Sequence, residues 1–215
     1  MATTMAFQGS LLESVDAAPR LGDLSGRVDR TVLSHGAWVD VLPGWMSDSD
    51  GVFLDLVESV PWRAERRQMY ERMVDVPRLV CFYDEGVALP HPILDEARSA
   101  LSAHYERELG EPFTTAGLCY YRDGRDSVAW HGDRIGRSST DDTMVAILSL
   151  GEARRLMLRP RYGRSDSSTI AFPLGHGDLI VMGGSCQRTR EHSVPKTTRA
   201  TGPRISVQFR PHGVH

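Results

Sequence analysis

The chain has 215 residues, of which 40% are hydrophobic and 25% are charged, and its net charge is −3 at pH 7. This length and composition are typical of a single globular domain that is large enough to bury a core. No run of about 18 apolar residues occurs, so no membrane span is expected.

The cysteine pattern and the first residues indicate the compartment. The three cysteines, Cys81, Cys119 and Cys186, are odd in number and form no CxxC pair, which argues against a disulfide framework and a zinc ribbon. The first residues lack the basic segment and the long apolar run of a signal peptide. We therefore expect a cytoplasmic protein with reduced, structural cysteines.

The charge is unevenly distributed along the chain. Residues 1–114 hold 10 Lys and Arg against 19 Asp and Glu, whereas residues 115–215 hold 15 against 9. A basic half of this kind is found in proteins that bind nucleic acids, although a solvated basic face produces the same pattern.

The first half of the chain predicts an arm, two short strands and two helices. Residues 1–30 are polar and predict an N-terminal arm that packs loosely on the domain. Short strands are predicted at residues 32–33 and 38–42. Apolar residues at helical spacing predict a helix from residue 48 to about 60, capped by Ser or Asp, and another over 93–109. The apolar stripe of the second helix is Leu94, Ala97, Leu101 and Tyr105.

Residues 62–83 mix arginines with aromatic residues. One interpretation is an exposed basic hairpin with Trp62 in the core. The other is a surface for nucleic acid, because aromatic rings stack on unpaired bases and arginines contact phosphates. The candidate substrate-binding residues are Tyr70, Arg78 and Tyr83, together with Trp130 further along the chain.

Many short strands and almost no helix are predicted after residue 110. Residues 113–121 form one strand, and the almost entirely apolar residues 143–150 form a buried central strand. Further strands are predicted at 156–158, 169–172 and 178–182. Such strands, separated by Gly, Pro and Ser turns, imply an antiparallel sandwich or barrel.

The candidate metal site begins at His131-Gly132-Asp133. Residues two apart in extended backbone point the same way, so this imidazole and this carboxylate can reach one spot. They are two of the three ligands that non-haem Fe(II) oxygenases use. His192 is the preferred third ligand, since it follows a Gly/Ser turn and precedes Val194-Pro195, which is interpreted as the start of a strand. His176 is the alternative third ligand.

Residues 204–210 alternate strictly between apolar and polar side chains, which predicts a strand. The polar members are Arg204, Ser206, Gln208 and Arg210. A solvent-facing strand has the same pattern. However, two arginines on one face, shortly after a candidate metal ligand, also suit a dicarboxylate, because guanidinium groups bind carboxylates in a bidentate manner.

The ordered set of His131-x-Asp133, His192 and Arg204-x5-Arg210 resembles the AlkB family of Fe(II)- and 2-oxoglutarate-dependent dioxygenases, which remove alkyl groups from nucleic-acid bases by oxidation. The segment 121–130 is also similar to the family's approach to its metal motif. The resemblance covers roughly residues 62–212, which is most of the chain.

The resemblance implies a fold and a domain organisation. The fold is mainly β with flanking helices (α+β), built on a double-stranded β-helix or jelly-roll core. A single domain of residues 1–215 is expected, with the arm at 1–30, helices and a nucleotide-recognition lid at 31–115, and the jelly-roll catalytic core at 116–212.

The resemblance also implies a reaction. Fe(II) would be held by His131, Asp133 and His192, with 2-oxoglutarate as co-substrate and O2 as oxidant. Arg204 would pair with the distal carboxylate of 2-oxoglutarate, Arg210 would lie near its metal-bound end, and the Tyr121 hydroxyl would donate to it. The expected substrates are 1-methyladenine and 3-methylcytosine in DNA, which are demethylated with release of formaldehyde, succinate and CO2. No obligate protein partner is evident.

Two departures from the family pattern and several alternatives remain. Cys119 stands where the family has Asn, and Arg134-Ile135 stands where better-known members carry an acidic residue that helps to read the base. RNA or a protein is an alternative substrate. Two histidines and a carboxylate also suit a zinc hydrolase, and the basic half also suits a catalytically silent nucleic-acid binder.

Overall fold

The computed structural model describes residues 18–69, 72–132, 136–161 and 168–214, with the backbone alone for residues 66–69 and 72–75. The predicted arm up to residue 17 lies outside the described residues, and so do Tyr70, Asp133 and the segment 134–135.

The described residues form three helices and a larger number of strands. The helices are α1 (Asp50–Ser59), α2 (Pro92–Leu109) and α3 (Cys186–Thr189). The strands are β1 (Arg20–Leu21), β2 (Asp29–Val32), β3 (Ala37–Leu42), β4 (Met46–Ser47), β5 (Arg63–Met69), β6 (Arg72–Tyr83), β7 (Phe113–Tyr121), β8 (Val128–His131), β9 (Val145–Gly151), β10 (Arg154–Pro160), β11 (Ile170–Leu174), β12 (Asp178–Gly184), β13 (Arg190–Val194) and β14 (Arg204–Pro211).

Two antiparallel sheets and a layer of helices make up the fold. The large sheet has the strand order β2-β3-β12-β9-β14-β7-β6-β5, and the small sheet has the order β11-β10-β13-β8. One apolar core joins α1 and α2 to the large sheet, and a second core joins the two sheets. The predicted mainly β fold with flanking helices and a jelly-roll core is therefore confirmed.

Strand β14 lies in the middle of the large sheet, between β9 and β7. Its apolar members, Ile205, Val207 and Phe209, belong to the core on the helix side. Its polar members face the small sheet and line a cavity. Both faces are covered, and Arg204 is only 2% exposed. The interpretation of this segment as a solvent-facing strand is therefore wrong.

The two predicted helices are confirmed, but the side-chain cap predicted for the first of them is not. The His91 side chain accepts a hydrogen bond from the Ile93 backbone N–H and caps α2, and Gly110 ends this helix in the left-handed conformation with φ of 74°. Ser49 precedes α1 without a side-chain capping hydrogen bond. Its hydroxyl contacts His176 instead, at 2.7 Å.

Strands β5 and β6 pair with each other as the predicted hairpin at one edge of the large sheet. Trp62 precedes it and packs on the core between helices and sheet, where its indole N–H donates to the carbonyls of Leu56 and Val57. The three cysteines are all buried, and no disulfide joins them in the described part of the chain. Among the described helices, none is long and apolar enough to cross a membrane.

One strand prediction needs correction. Val194-Pro195 is not the start of a strand, because β13 begins at Arg190 and ends at Val194. His192 consequently lies inside a strand rather than in the loop before one. This position gives it a fixed partner on the neighbouring strand β8.

Candidate active site

A cavity of about 410 Å³ lies between the two sheets. Its buried end is lined by Tyr121, Arg204 and Ser206, and its exposed end by Phe82 and Asp84. Val214, which follows β14, and apolar side chains from both sheets complete the walls; the sheet residues are Val128, Val145, Ile147, Leu156 and Val194.

His131 and His192 face each other in this cavity. They are register partners on β8 and β13, and their ring centres are 4.2 Å apart. The His131 Nδ1 atom lies 2.9 Å from the carbonyl oxygen of Ala129. Because a carbonyl oxygen can only accept, Nδ1 carries the hydrogen and Nε2 carries the lone pair. Histidines that bind metals are oriented by a hydrogen bond of this kind.

The third predicted ligand, Asp133, follows His131 by two residues and lies outside the described part of the chain. Within that part, no group of three or more His, Cys, Asp or Glu side chains could hold a metal ion. The structure thus brings together two of the three predicted ligands, and the place of Asp133 stays a prediction.

His176, the alternative third ligand, does not line the cavity. Its Nδ1 accepts a hydrogen bond of 2.8 Å from the Gly151 backbone N–H, and its Nε2 lies 2.7 Å from the Ser49 hydroxyl. Burial lowers the pKa of His176, although Asp50 and Asp178 partly oppose the shift. His176 is therefore a neutral residue that ties the start of α1 to the end of β9, and it is not placed to bind the metal.

Arg204 has an unsatisfied donor at the buried end of the cavity. Its Nε donates to the Ser149 hydroxyl at 2.9 Å, whereas its Nη1 is buried and has no hydrogen-bond partner among the described residues. Burial lowers the pKa of this arginine. A buried cation with an unused N–H group is a site for an anion, because an unpaired buried charge is costly.

Tyr121 is the register partner of Arg204 on β7, and the guanidinium carbon lies 5.3 Å from the centre of its ring. Burial raises the pKa of Tyr121 to about 12, so its hydroxyl is protonated at neutral pH and can donate. Nearby, Arg154 donates to the backbone carbonyls of Asp126 and Pro195 and holds two loops together.

Arg204 and Arg210 lean toward each other along β14. Their Cα atoms are separated by six residues, or about 20 Å of strand. The Arg204 Nε reaches Ser149, which is the register partner of Ser206. Arg210 reaches back to donate to Gln208 at 2.9 Å. The space between the two guanidinium groups therefore suits a molecule with an acidic group at each end.

Gln208 and Ser206 belong to the cavity although the sequence analysis gave them no role. Gln208 Nε2 donates to the Ser206 hydroxyl at 2.9 Å and to the Cys119 sulfur at 3.3 Å. The period-two alternation of β14 could have found both, since they share a face with Arg204 and Arg210. Cys119, where the family pattern has Asn, is thus a member of the cavity wall.

The candidate substrate-binding residues have different positions. Arg78 and Tyr83 line the cavity, and the Arg78 Nε donates to the Cys119 sulfur at 3.4 Å. Trp130 does not line it. The Arg159 guanidinium group lies 4.2 Å from a Trp130 ring centre, and the substrate role of Trp130 stays a prediction. Tyr70 lies outside the described residues.

Comparison with known proteins identifies the family. The model of the 2OG-Fe(II) oxygenase superfamily matches residues 40–210. The chain belongs to the 2OG-Fe(II) oxygenase superfamily. One similar solved structure is a 2OG-Fe(II) oxygenase family protein from Burkholderia pseudomallei, with a TM-score of 0.57, 16% identity and coverage of 82% of this chain and 86% of that one. Another is OsALKBH1, with a TM-score of 0.55, 15% identity and coverage of 84% of this chain and 100% of that one. At these identities they support the fold alone.

Sequence relatives place the chain on the AlkB branch of this superfamily. Alpha-ketoglutarate-dependent dioxygenase alkB homolog 3 of Bos taurus is 29% identical over 92% of this chain and 76% of its own length. DNA oxidative demethylase ALKBH2 of Homo sapiens is 24% identical over 76% of this chain and 69% of its own length. The protein is therefore an AlkB-type dioxygenase that uses Fe(II), 2-oxoglutarate and O2. This membership decides against a zinc hydrolase and a silent binder.

Proposed function

We propose that this protein is an oxidative demethylase of N-alkylated nucleobases, with 1-methyladenine and 3-methylcytosine in DNA as its substrates. The observation that carries the proposal is a single cavity that holds a facing histidine pair, a buried arginine with an unused N–H group, and an exposed aromatic rim. The printed name of one relative, DNA oxidative demethylase ALKBH2, supports DNA as the polymer.

The donor set fits Fe(II). We propose His131, Asp133 and His192 as the ligands, because two neutral imidazoles and one carboxylate form the open facial set of non-haem iron oxygenases. The hydrogen bond from His131 Nδ1 to Ala129 leaves Nε2 as the lone-pair nitrogen, as a ligand requires.

The buried end of the cavity fits 2-oxoglutarate. Arg204 would bind the distal carboxylate, since its Nη1 has no described partner and a dianion would neutralise the buried charge. The Tyr121 hydroxyl, which stays protonated because its pKa is about 12, would donate to the same co-substrate. Arg210, which leans back along β14, would stabilise the other acidic end.

With Fe(II) bound, the chemistry available to this site is the oxidative decarboxylation of 2-oxoglutarate to succinate and CO2, coupled to hydroxylation of the N-methyl carbon. One oxygen atom of O2 ends in succinate and the other in the hydroxymethyl group. That group then leaves as formaldehyde, and the base regains its ring nitrogen lone pair. The apolar walls, including Val145, Ile147 and Leu156, exclude water while this occurs.

The position of the cavity between two sheets determines how a base can enter. A base stacked inside a duplex cannot reach His131 and His192, so it must be flipped out or be presented by a single strand. Both proposed lesions carry the methyl group on the Watson-Crick edge. They cannot pair normally, which lowers the cost of extrusion.

Mass spectrometry of methylated oligonucleotides tests the proposal. The protein is first loaded anaerobically with Fe(II) and 2-oxoglutarate, and binding is checked before O2 is added. We expect loss of one methyl group from 1-methyladenine and 3-methylcytosine in DNA, with one succinate and one formaldehyde formed per event. Matched RNA oligonucleotides and a methylated peptide are run in parallel. Consumption of 2-oxoglutarate with both DNA lesions untouched would contradict the proposal.

A further inference from the structure

The exposed end of the cavity contains one carboxylate among its described lining residues, that of Asp84. The lining also contains three arginines, Arg78, Arg204 and Arg210, and two histidines, His131 and His192. Asp84 follows directly after β6 and is exposed. An acidic group in a cavity otherwise rich in arginine indicates a ligand with a positive part.

The Asp84 carboxylate has no hydrogen bond or ion pair with any described residue. The turn that contains it is held in other ways. The Asp84 carbonyl accepts from the Val87 backbone N–H at 3.1 Å, and the adjacent Glu85 carboxylate lies 2.8 Å from His212 Nδ1. The turn therefore does not need the Asp84 side chain, which leaves it available to a ligand.

Phe82, two residues before Asp84, also lines the cavity and is 62% exposed. It packs across Gly117 on β7, where an added Cβ would lie 3.2 Å from Phe82 Cε1. A large aromatic ring left exposed at the mouth of a cavity, next to an unpaired carboxylate, is suited to a flat, cationic ligand.

Alkylated bases differ in whether they carry a positive charge. Methylation of adenine at N1 or of cytosine at N3 gives a planar cation with an exocyclic amino group. Such a base is attracted to an aromatic face, and its amino group can donate to a carboxylate. Methylation of thymine at N3 gives a neutral base with a carbonyl oxygen in place of the amino group, and a carboxylate repels that oxygen.

We propose that Asp84 and Phe82 form a selectivity element that favours cationic alkylated bases over neutral ones. Phe82 stacks on the base, and Asp84 accepts a hydrogen bond from its exocyclic amino group. The inference rests on the proposed function, because it specifies which bases enter the same site. It also gives the chain a base-reading carboxylate from the β6 end of the cavity.

The test compares two single-stranded oligonucleotides that differ only in one central base, 3-methylcytosine or 3-methylthymine. The selectivity is the ratio of kcat/KM for the two, measured with iron-loaded enzyme. Asp84→Asn should lower this ratio by roughly tenfold, the usual effect of one hydrogen bond to a charged group. Phe82→Leu should lower kcat/KM for both oligonucleotides by roughly tenfold because stacking is lost, and the effect should be larger for the cationic base.

Glu85→Gln is the matched control. It also removes one negative charge, but from a residue outside the cavity lining. It should therefore reproduce any general gain in DNA affinity from the lost charge and leave the ratio of the two kcat/KM values unchanged. An unchanged ratio in Asp84→Asn overturns the inference, and so does an equal drop in Glu85→Gln.

A binding experiment separates this inference from the proposed reaction. The Kd values of both oligonucleotides are measured by fluorescence anisotropy with iron-loaded protein kept free of O2. Tighter binding of the 3-methylcytosine strand that disappears in Asp84→Asn supports the inference even if neither base is demethylated. Equal Kd values for the two strands in the wild-type protein overturn it even if both are demethylated.

Discussion

The guanidinium group of Arg210 occupies the space that a side chain at Gly117 would fill. A Cβ added at Gly117 would lie 2.9 Å from Arg210 Nη1. Gly117 is the register partner of Gln208, two residues before Arg210, so the missing side chain is what lets Arg210 lean toward Arg204. We therefore expect Gly117→Ala to weaken 2-oxoglutarate binding by on the order of tenfold, the effect of about 1.4 kcal/mol.

The control for this substitution is Gly51→Ala in α1, where an added Cβ meets nothing within 4 Å. Gly51→Ala should leave the 2-oxoglutarate Kd unchanged. Anaerobic calorimetry with Fe(II)-loaded protein measures both variants. An unaltered Kd in Gly117→Ala would mean that the conformation of Arg210 does not depend on this space.

Arg204→Gln should raise the Kd for 2-oxoglutarate by roughly 10- to 150-fold, because losing a charged hydrogen-bond partner costs about 1.5 to 3 kcal/mol. The affinity for oligonucleotides should stay nearly constant, since Arg204 is buried at the far end of the cavity. Arg155→Gln, on the exposed face of β10, serves as the control. Equal weakening of DNA binding in Arg204→Gln would assign Arg204 to the nucleic-acid surface instead.

Variants of the proposed metal ligands and a variant of His176 should separate catalysis from stability. His131→Ala, His192→Ala and Asp133→Ala should abolish turnover and Fe(II) binding while thermal unfolding of the metal-free protein changes little. His176→Ala should keep iron but lose roughly 1 to 3 kcal/mol of stability, because the Gly151 N–H and the Ser49 hydroxyl lose their partner. Iron loss in His176→Ala, with iron retained in His192→Ala, would reverse the assignment of the third ligand.

The half-buried His176 also predicts how stability depends on pH. Its pKa is lowered in the folded protein, so the unfolded chain binds the proton more tightly. The contribution of His176 is therefore complete above the unfolded pKa of about 6.5 and is lost as the pH falls below it. Urea unfolding at pH 8 and at pH 5.5 should show a smaller loss of stability for His176→Gln than for the wild-type protein. Identical losses in both proteins would contradict the prediction.

Local patterns were sufficient to predict β14 and the faces of its residues, because period-two alternation depends only on extended backbone. They could not reveal that both faces are buried, since this depends on β9 and β7, which come from distant parts of the chain. The same limit explains the solvent-facing interpretation of residues 204–210. The choice between His176 and His192 likewise depends on hydrogen bonds to Gly151 and Ser49, which no spacing encodes.

The rim of the cavity was harder to predict than its buried end. Arg78 and Tyr83 were selected from the arginine-rich hairpin, while Phe82 and Asp84 in the same stretch were passed over. Their position depends on the register of β6 against β7, with Phe82 opposite Gly117 and Tyr83 opposite Ala116. The ring of Trp130, the residue before His131, lies against the Arg159 guanidinium group, a contact between β8 and β10 that no local pattern predicts.

The residues proposed to bind 2-oxoglutarate and those proposed to bind the base lie in differently packed parts of the large sheet. The residues proposed for 2-oxoglutarate lie on β7 and β14, which are inner strands of the large sheet and are each paired on both sides. Phe82 and Asp84 lie beyond the part of β6 that pairs with the edge strand β5, and both are exposed to solvent. Mutational libraries confined to this exposed end of β6 can therefore change which lesions are accepted while oxidative chemistry stays constant, and directed evolution of a new base preference should begin there.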